Sequence, residues 1–175
     1  GSEATIIAVV KDHQRHLKMA FASPYLMPDL AVLDSRMTLS LPPAITAATG
    51  MDALTHAVEA YYCLAKNPLS DGAALAAVRL VGEHLLRVTR DPSDRNGRLA
   101  MATAALLAGA AFSNSMVGMV HTMGHATGPS AALRTASAWR STFPTASSTT
   151  STSGAGRWPS CSFPWPGRRF TVRLR

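Results

Sequence analysis

The chain has 175 residues, which is enough for one ordinary domain or for parts of two. Its net charge is +7, yet residues 1–128 hold ten Lys and Arg against ten Asp and Glu, whereas residues 129–175 hold seven Arg and no acidic residue. This one-sided distribution argues against a nucleic-acid-binding domain. No apolar run reaches the ~18 residues that a membrane span needs.

Cysteine usage and the first residues bear on the cellular compartment. Cys63 and Cys161 are too few and too far apart in sequence for a disulfide framework or a thiolate metal site. No charged segment followed by an apolar run opens the chain, so we expect a cytoplasmic protein in a reducing compartment. Because the first residue is Gly rather than Met, we also expect a processed, tagged or partial chain.

Residues 1–41 are predicted to contain strands and turns. The β-branched run TIIAVV at residues 5–10 predicts a buried strand, and the polar segment KDHQRHLK predicts the connection that follows it. Two prolines in PYLMPD force extended or turn structure. The run LAVLD at residues 30–34 then predicts a second buried strand.

From Pro42 onward the pattern is helical, since two adjacent prolines suit a loop and the first turn of a helix. Helices are predicted over about residues 46–65, 69–90, 98–112 and 113–128. The second carries an apolar stripe at positions 75, 78, 81, 85 and 88. The third is rich in Ala, which lets helices approach closely. The fourth is predicted to be buried, with Gly118 and Gly124 inside it.

Residues 129–175 differ in composition from everything before them. They contain sixteen Ser or Thr and all three Trp, but no Lys, Asp, Glu, Asn, Gln, His, Ile, Met or Tyr. No helix or strand period persists, so the composition predicts a low-complexity, disordered tail.

Two pairs of polar residues interrupt the apolar helical pattern. Asp52 and His56 stand four residues apart, and His121 and His125 repeat that spacing. Residues at i and i+4 share a helix face and can converge on one ion, and a carboxylate with two or three imidazoles suits a divalent first-row metal. Each pair also fits a blander interpretation, as a hydrogen-bonded surface pair or as satisfied core histidines. The apolar, glycine-bearing context favours the metal, because unpaired polar groups there are costly.

Two segments closely resemble the iron-containing (group III) alcohol dehydrogenase family: PDLAVLDSRMTLSLPPAITAATGMDALTHAVEAYYCLAKNPLSD and LLAGAAFSNSMVGMVHTMGHATG. The opening GSEAT resembles the end of that family's cofactor segment, and the resemblance covers residues 1–128. It implies an α+β multidomain fragment: residues 1–41 as the C-terminal remnant of an α/β dinucleotide-binding domain, 42–128 as a truncated all-α metal-binding domain, and 129–175 as the disordered tail.

The resemblance also implies roles for particular residues. Asp52, His56 and His121 match metal ligands, and His125 matches a catalytic histidine that relays protons. The predicted cofactor-binding positions are Thr5, Lys18, Met37, Ser40 and Leu41. Packing alone would also explain the last three, and Lys18 equally fits a solvated surface lysine.

The implied reaction is NAD- or NADP-linked hydride transfer between a simple alcohol and its aldehyde or ketone, with Fe(2+), or alternatively Zn(2+), acting on the alcohol oxygen. The expected partner is this small-molecule substrate, with no nucleic acid or membrane, and a homo-oligomer is compatible with the sequence. Because the family's glycine-rich phosphate-binding turn is absent, we expect this chain to be an inactive fragment. The alternative is a non-catalytic helical interaction module or metal-binding remnant.

The tail departs from the family where a fourth metal-binding histidine is expected, a position that Thr135 occupies here. Its residues are those of GC-rich codons, as a GC-rich gene read out of frame would give. Shifting the reading by one base from the junction of Arg134 and Thr135 can spell HGLGVAINLPH, which resembles the family's continuation and supplies that histidine. The sequence therefore predicts a frameshift near residues 128–129. The alternative is a genuine Arg/Ser/Thr-rich tail that binds acidic partners.

Overall fold

A computed structural model describes residues 1–12, 14–15, 17–127, 162–165 and 168–171. The strands are β1 (Ile7–Asp12), β2 (Leu17–Ala22), β3 (Ser162–Trp165) and β4 (Arg168–Thr171), and the helices are α1 (Pro43–Tyr62), α2 (Pro68–Arg90), α3 (Arg95–Ser115) and α4 (Met119–Thr127). Short 3-10 turns cover Ser2–Ala4, Pro24–Leu26 and Ser35–Thr38. No helix in the described part of the chain is both long and apolar enough to cross a membrane.

Within the described residues, the strands form two antiparallel pairs. In the first, Ile7 of β1 lies opposite Ala22 of β2, so the strand predicted at residues 5–10 exists but starts and ends two residues later. Its predicted burial is wrong, because Val9 and Val10 are about half exposed on a ribbon of only two strands. β3 and β4 form the second pair, which the prediction of a tail without strands missed. The rest of residues 129–175 lies outside the described residues.

The second predicted strand, at residues 30–34, does not form. The segment has no regular structure, and Leu30 and Val32 are 78% and 76% exposed. An apolar, β-branched run becomes a strand only when a neighbouring edge accepts its backbone hydrogen bonds. Among the described residues no strand lies beside this segment to supply that edge.

The first three helices lie close to their predicted positions, and their caps explain the differences. α1 begins three residues early because Pro43 occupies its first turn. Asn67 caps α2, accepting hydrogen bonds from the backbone of the first turn while Ser70 reciprocates. Asp94 caps α3 by accepting from the Gly97 amide at 2.9 Å, which moves the start of this helix to Arg95.

The fourth helix is shorter than predicted. Residues 113–115 belong to α3, which ends where Met116 adopts a positive φ of 69°. Helix geometry cannot continue through this conformation, so α4 begins only at Met119 and Gly118 precedes it. Gly124 does lie inside α4.

Small residues form the core between α1, α2 and α3. The buried cluster consists of Ala57, Ala60, Ala74, Ala77, Ala108 and Ala111. These side chains let the three helix axes approach closely, as the Ala-rich sequence predicts. The apolar stripe predicted on α2 is only partly right: Val81 and Val88 are buried, but Leu75 is exposed. Because small side chains set the spacing, Ala74 and Ala77 face the neighbouring helices instead.

Arg98 fastens α3 to the segment that leads into α1. Its side chain is buried, and its guanidinium donates to Thr46 Oγ1 at 2.7 Å, Leu41 O at 3.4 Å and Pro92 O at 3.2 Å. The same side chain lines a cavity of about 140 Å³ between these elements. One residue thereby holds residues 41–46 against α3.

Candidate metal centre

Two helices bring three of the predicted site residues together. Asp52 and His56 lie on one face of α1, and His121 comes from the first turn of α4. One ligand atom from each of the three lies within 4.8 Å of the others. His121 Nε2 is 3.7 Å from Asp52 Oδ1, and the His56 and His121 rings are 4.0 Å apart between centroids. The i, i+4 spacing within α1 brings Asp52 and His56 together, whereas the position of His121 beside them depends on how α4 packs against α1.

A fourth polar residue, Glu59, lies behind His121. It is fully buried on α1, and its carboxylate accepts hydrogen bonds from the Val120 amide at 2.6 Å, from Tyr62 Oη at 3.0 Å and from His121 Nδ1. Burial raises the pKa of Glu59, but the His121 contact and the other donors outweigh burial, so the pKa lies below its usual range. Burial and the adjacent Glu59 carboxylate raise the pKa of Tyr62.

Glu59 is not among the site residues predicted from the sequence, although its position along the helix gives a signal for it. Glu59 stands three residues after His56 and seven after Asp52, which places all three on one helix face. An acidic residue that continues such a face within an apolar run is a candidate for the shell that orients metal ligands.

The cluster opens onto a cleft of about 460 Å³ between the N-terminal residues and the helices. Its lining includes Asp52, His56, Thr5 and Phe112, and the Phe112 ring stacks on His56 with centroids 4.7 Å apart. Thr5 is buried, and its hydroxyl lies 3.2 Å from the Ile7 carbonyl oxygen. The cleft therefore offers both a polar donor set and space for a small molecule.

The other predicted site residues are less clearly placed. Leu41 lines the smaller cavity beside Arg98, Met37 is 79% exposed and Ser40 is exposed. The described lining of the larger cleft contains Thr5 but none of these three. Lys18 pairs with Lys11 across the β1–β2 ribbon, and His125 lies in α4, one turn after His121. The side chains of Lys18 and His125 lie outside the described residues, as does Thr135.

The donor set suits a divalent first-row metal. One carboxylate oxygen and two imidazole nitrogens, partly or fully buried, are a combination that iron and zinc both accept. Glu59 holds His121 through Nδ1, which leaves Nε2 on the side of Asp52. A histidine held at one nitrogen by a carboxylate is a common arrangement around metal ligands.

Comparison with known proteins identifies the family. The model of the Fe-containing alcohol dehydrogenase family, C-terminal, matches residues 46–163. The chain therefore belongs to the iron-containing alcohol dehydrogenase family.

Among its relatives, alcohol dehydrogenase 4 of Schizosaccharomyces pombe is 46% identical over 128 residues, covering 73% of this chain and 30% of the relative. The NADPH-dependent butanol dehydrogenase of Clostridium saccharobutylicum is 41% identical over the same length, covering 73% of this chain and 32% of the relative. The chain thus spans about a third of the length of the curated relatives it matches.

Solved structures agree with this assignment. A 1,3-propanediol oxidoreductase superposes with a TM-score of 0.78 at 37% identity, covering 84% of this chain and 38% of that structure. An alcohol dehydrogenase from Oenococcus oeni superposes with a TM-score of 0.80 at 33% identity, covering 85% and 39%. The fold seen here is therefore part of a larger family fold.

Proposed function

We propose that this chain carries the metal-binding part of a NAD(P)-linked alcohol dehydrogenase that interconverts a simple alcohol and its aldehyde or ketone. The observation that carries the proposal is the convergence of Asp52, His56 and His121 into one donor cluster, of which Asp52 and His56 line the cleft. We propose Fe(2+) as the metal, because the matching family model is that of Fe-containing enzymes. Zn(2+) is the alternative, because it also accepts mixed oxygen and nitrogen donors. The family assignment supports this proposal.

Each residue of the site has a proposed task. Asp52, His56 and His121 hold the ion, which when bound supplies Lewis acidity to the alcohol oxygen. The Asp52 carboxylate also contributes negative charge that compensates the ion, and Phe112 restricts rotation of the His56 ring by stacking on it. His125 accepts the proton released from the alcohol at an imidazole nitrogen and passes it to water.

The cofactor side of the cleft is proposed to include Thr5, the only predicted cofactor residue found in the described lining. Lys18, Met37, Ser40 and Leu41 remain predictions from the resemblance. We keep both nicotinamide cofactors in the proposal, because relatives of both kinds match this chain. One is named a NADPH-dependent butanol dehydrogenase, and another is a NAD-dependent methanol dehydrogenase. A sulfoacetaldehyde reductase structure in the same fold group is a complex with NAD+.

A second candidate is a metal-binding remnant that does not turn over. Thr135 stands where the family resemblance places a fourth histidine ligand, and a hydroxyl is a poor substitute for an imidazole at an iron or zinc site. The cytoplasmic location and homo-oligomerisation stay predictions as well. Metal binding with no reduction of NAD(P)+ by simple alcohols would favour the remnant, and turnover by the purified chain would refute it.

Metal content tests the proposal directly. Elemental analysis of the purified chain is expected to find near-stoichiometric iron or zinc. An Asp52→Ala, His56→Ala double variant is expected to lose it, because one imidazole cannot hold the ion alone. The matched control is the Asp29→Ala, His84→Ala double variant, which removes the same residue types away from the cluster and should retain the metal. Equal metal content in both double variants would refute the assignment.

The predicted frameshift is a separate hypothesis. The family match extends to residue 163 and so includes part of the arginine-rich segment, whereas the curated relatives align over 128 residues. Sequencing the locus from independent DNA tests the hypothesis. A read in which the Arg134–Thr135 junction encodes histidine in frame would support it, and an unchanged reading of the segment would refute it.

A further inference from the structure

Glu59 makes contacts that a residue serving only as core packing would not need. Its side chain is fully buried, and a carboxylate removed from water is costly unless hydrogen bonds satisfy it. Donors reach it from two places, the Tyr62 hydroxyl in the last turn of α1 and the backbone and ring of the first turn of α4. The carboxylate therefore connects the two helices that supply the candidate metal ligands.

The first contact is with the N-terminus of α4. Val120 and His121 follow Met119, the first residue of this helix, so their amides have no carbonyl partner within it. Glu59 Oε1 accepts from these amides at 2.6 Å and 3.4 Å. Glu59, a residue of α1, thus caps the N-terminus of α4, a task that usually falls to the residue just before a helix. Gly118 has no side chain and so leaves space for this contact, since a Cβ at this position would lie 2.8 Å from Tyr62 Oη and 3.0 Å from Glu59 Oε1.

The second contact is with the His121 ring. Nδ1 faces Glu59 Oε2, and Nε2 lies 3.7 Å from Asp52 Oδ1. A neutral imidazole carries its proton on one nitrogen only. When Nδ1–H donates to the carboxylate, Nε2 keeps its lone pair, and only a nitrogen without a proton can ligate a metal. The carboxylate therefore selects the tautomer in which His121 is a competent ligand.

We propose that Glu59 is a positioning residue for the metal centre, which fixes the His121 tautomer and docks α4 through the same carboxylate. This inference rests on the proposed metal site. The Glu59 carboxylate both holds the first turn of α4 and orients the His121 ring. Metal binding and the ordering of α4 are therefore thermodynamically linked. Bound metal should slow hydrogen exchange at the amides of Val120 and His121, in proportion to its affinity.

The test uses the full chain and the Glu59→Gln variant, titrated with Co²⁺ and followed by its visible absorption. The amide keeps the shape, but its NH2 group can donate to Nδ1 while its oxygen accepts from Val120. That arrangement favours a proton on Nε2 and blocks the ligand. Loss of such an orienting partner typically weakens metal binding about 10–100-fold, and we expect a decrease in this range. Tyr62→Phe is the matched control, because it removes one donor to Glu59 and leaves the His121 contact in place.

A second readout does not need a metal. Imidazole ¹⁵N shifts of the metal-free chain should report Nδ1–H at His121, and Glu59→Gln should shift the population towards Nε2–H. Unchanged Co²⁺ affinity in Glu59→Gln, or Nε2–H in the original chain, would overturn the proposal. Equal losses in Glu59→Gln and Tyr62→Phe would also overturn it, by indicating general loosening. If Co²⁺ does not bind the original chain, the proposed metal site itself is wrong. If Co²⁺ binding is lost only in the Asp52→Ala, His56→Ala variant and not in Glu59→Gln, the metal site stands and only the positioning role of Glu59 is refuted.

Discussion

Replacing Arg98 by Met should destabilise the helical core markedly. The guanidinium is buried and donates to three acceptors in separate parts of the chain, namely Thr46 Oγ1, Leu41 O and Pro92 O. Met fills much of the same volume and removes the buried charge, so the desolvation cost of the charge disappears along with the bonds. The expected loss of folding stability in Arg98→Met therefore comes mainly from hydrogen-bond acceptors that are left without a donor.

The magnitude follows from those acceptors. A buried acceptor that loses its partner costs about 1–3 kcal/mol. Thr46 Oγ1 lies 3.5 Å from Leu41 O and can still donate to it, so one of the three losses is partly offset. The 3.4 Å bond to Leu41 O is also longer than a typical hydrogen bond. We therefore expect the free energy of unfolding to fall by about 2–4 kcal/mol.

Urea unfolding followed by far-ultraviolet circular dichroism measures this difference, provided that the slope with denaturant stays constant. Arg95→Met is the matched control, since Arg95 is an exposed residue in the first turn of the same helix and should change stability by less than about 0.5 kcal/mol. An Arg98→Met variant as stable as Arg95→Met would refute the reasoning that Arg98 fastens residues 41–46 to α3.

Three further predictions concern the helix cap, the helix contact and the response to acid. Asn67→Ala should lower the free energy of unfolding by about 1 kcal/mol, because it removes the acceptor that caps α2, and urea titration measures the loss; an unchanged midpoint would contradict the capping role. Gly50→Val should cost about 1–3 kcal/mol, because even a Cβ at Gly50 would collide with Leu85 across the α1–α2 contact; a melting temperature at or above that of the original chain would disprove this overpacking. Acidification should destabilise the metal-free chain, because the pKa values of Glu59 and Asp94 are lowered in the folded state. As the pH falls, these carboxylates take up protons in the unfolded chain before they do so in the folded chain. The stability that the two carboxylates contribute is therefore present above about pH 4–4.5 and is lost as the pH falls further. Midpoints of urea unfolding over a pH series test this, and stability that rises on acidification would contradict the sign.

The sequence predicted the helices well because their signals are local. The prolines at 42–43 act within a few positions of the boundary they set, and the Ala-rich run lies within α3 itself. The Asp94 cap is equally local, but the prediction did not use it and placed the start of α3 three residues late. The strand at residues 30–34 was predicted wrongly for the complementary reason. Its apolar pattern is local, but a strand requires a neighbouring edge, and no residue within the segment reports whether that edge exists.

The candidate site shows the same difference between local signals and contacts made by residues distant in sequence. The sequence by itself determined that Asp52 and His56 share a face of α1, since four residues span about one helical turn. It also carried the family resemblance, and the family assignment is confirmed. Only the tertiary structure decided that His121 reaches that face and that Glu59 stands behind its Nδ1. The interruption at Met116 and the packing of α4 on α1 set those distances. They depend on contacts between residues some sixty positions apart, which spacing along one helix does not specify.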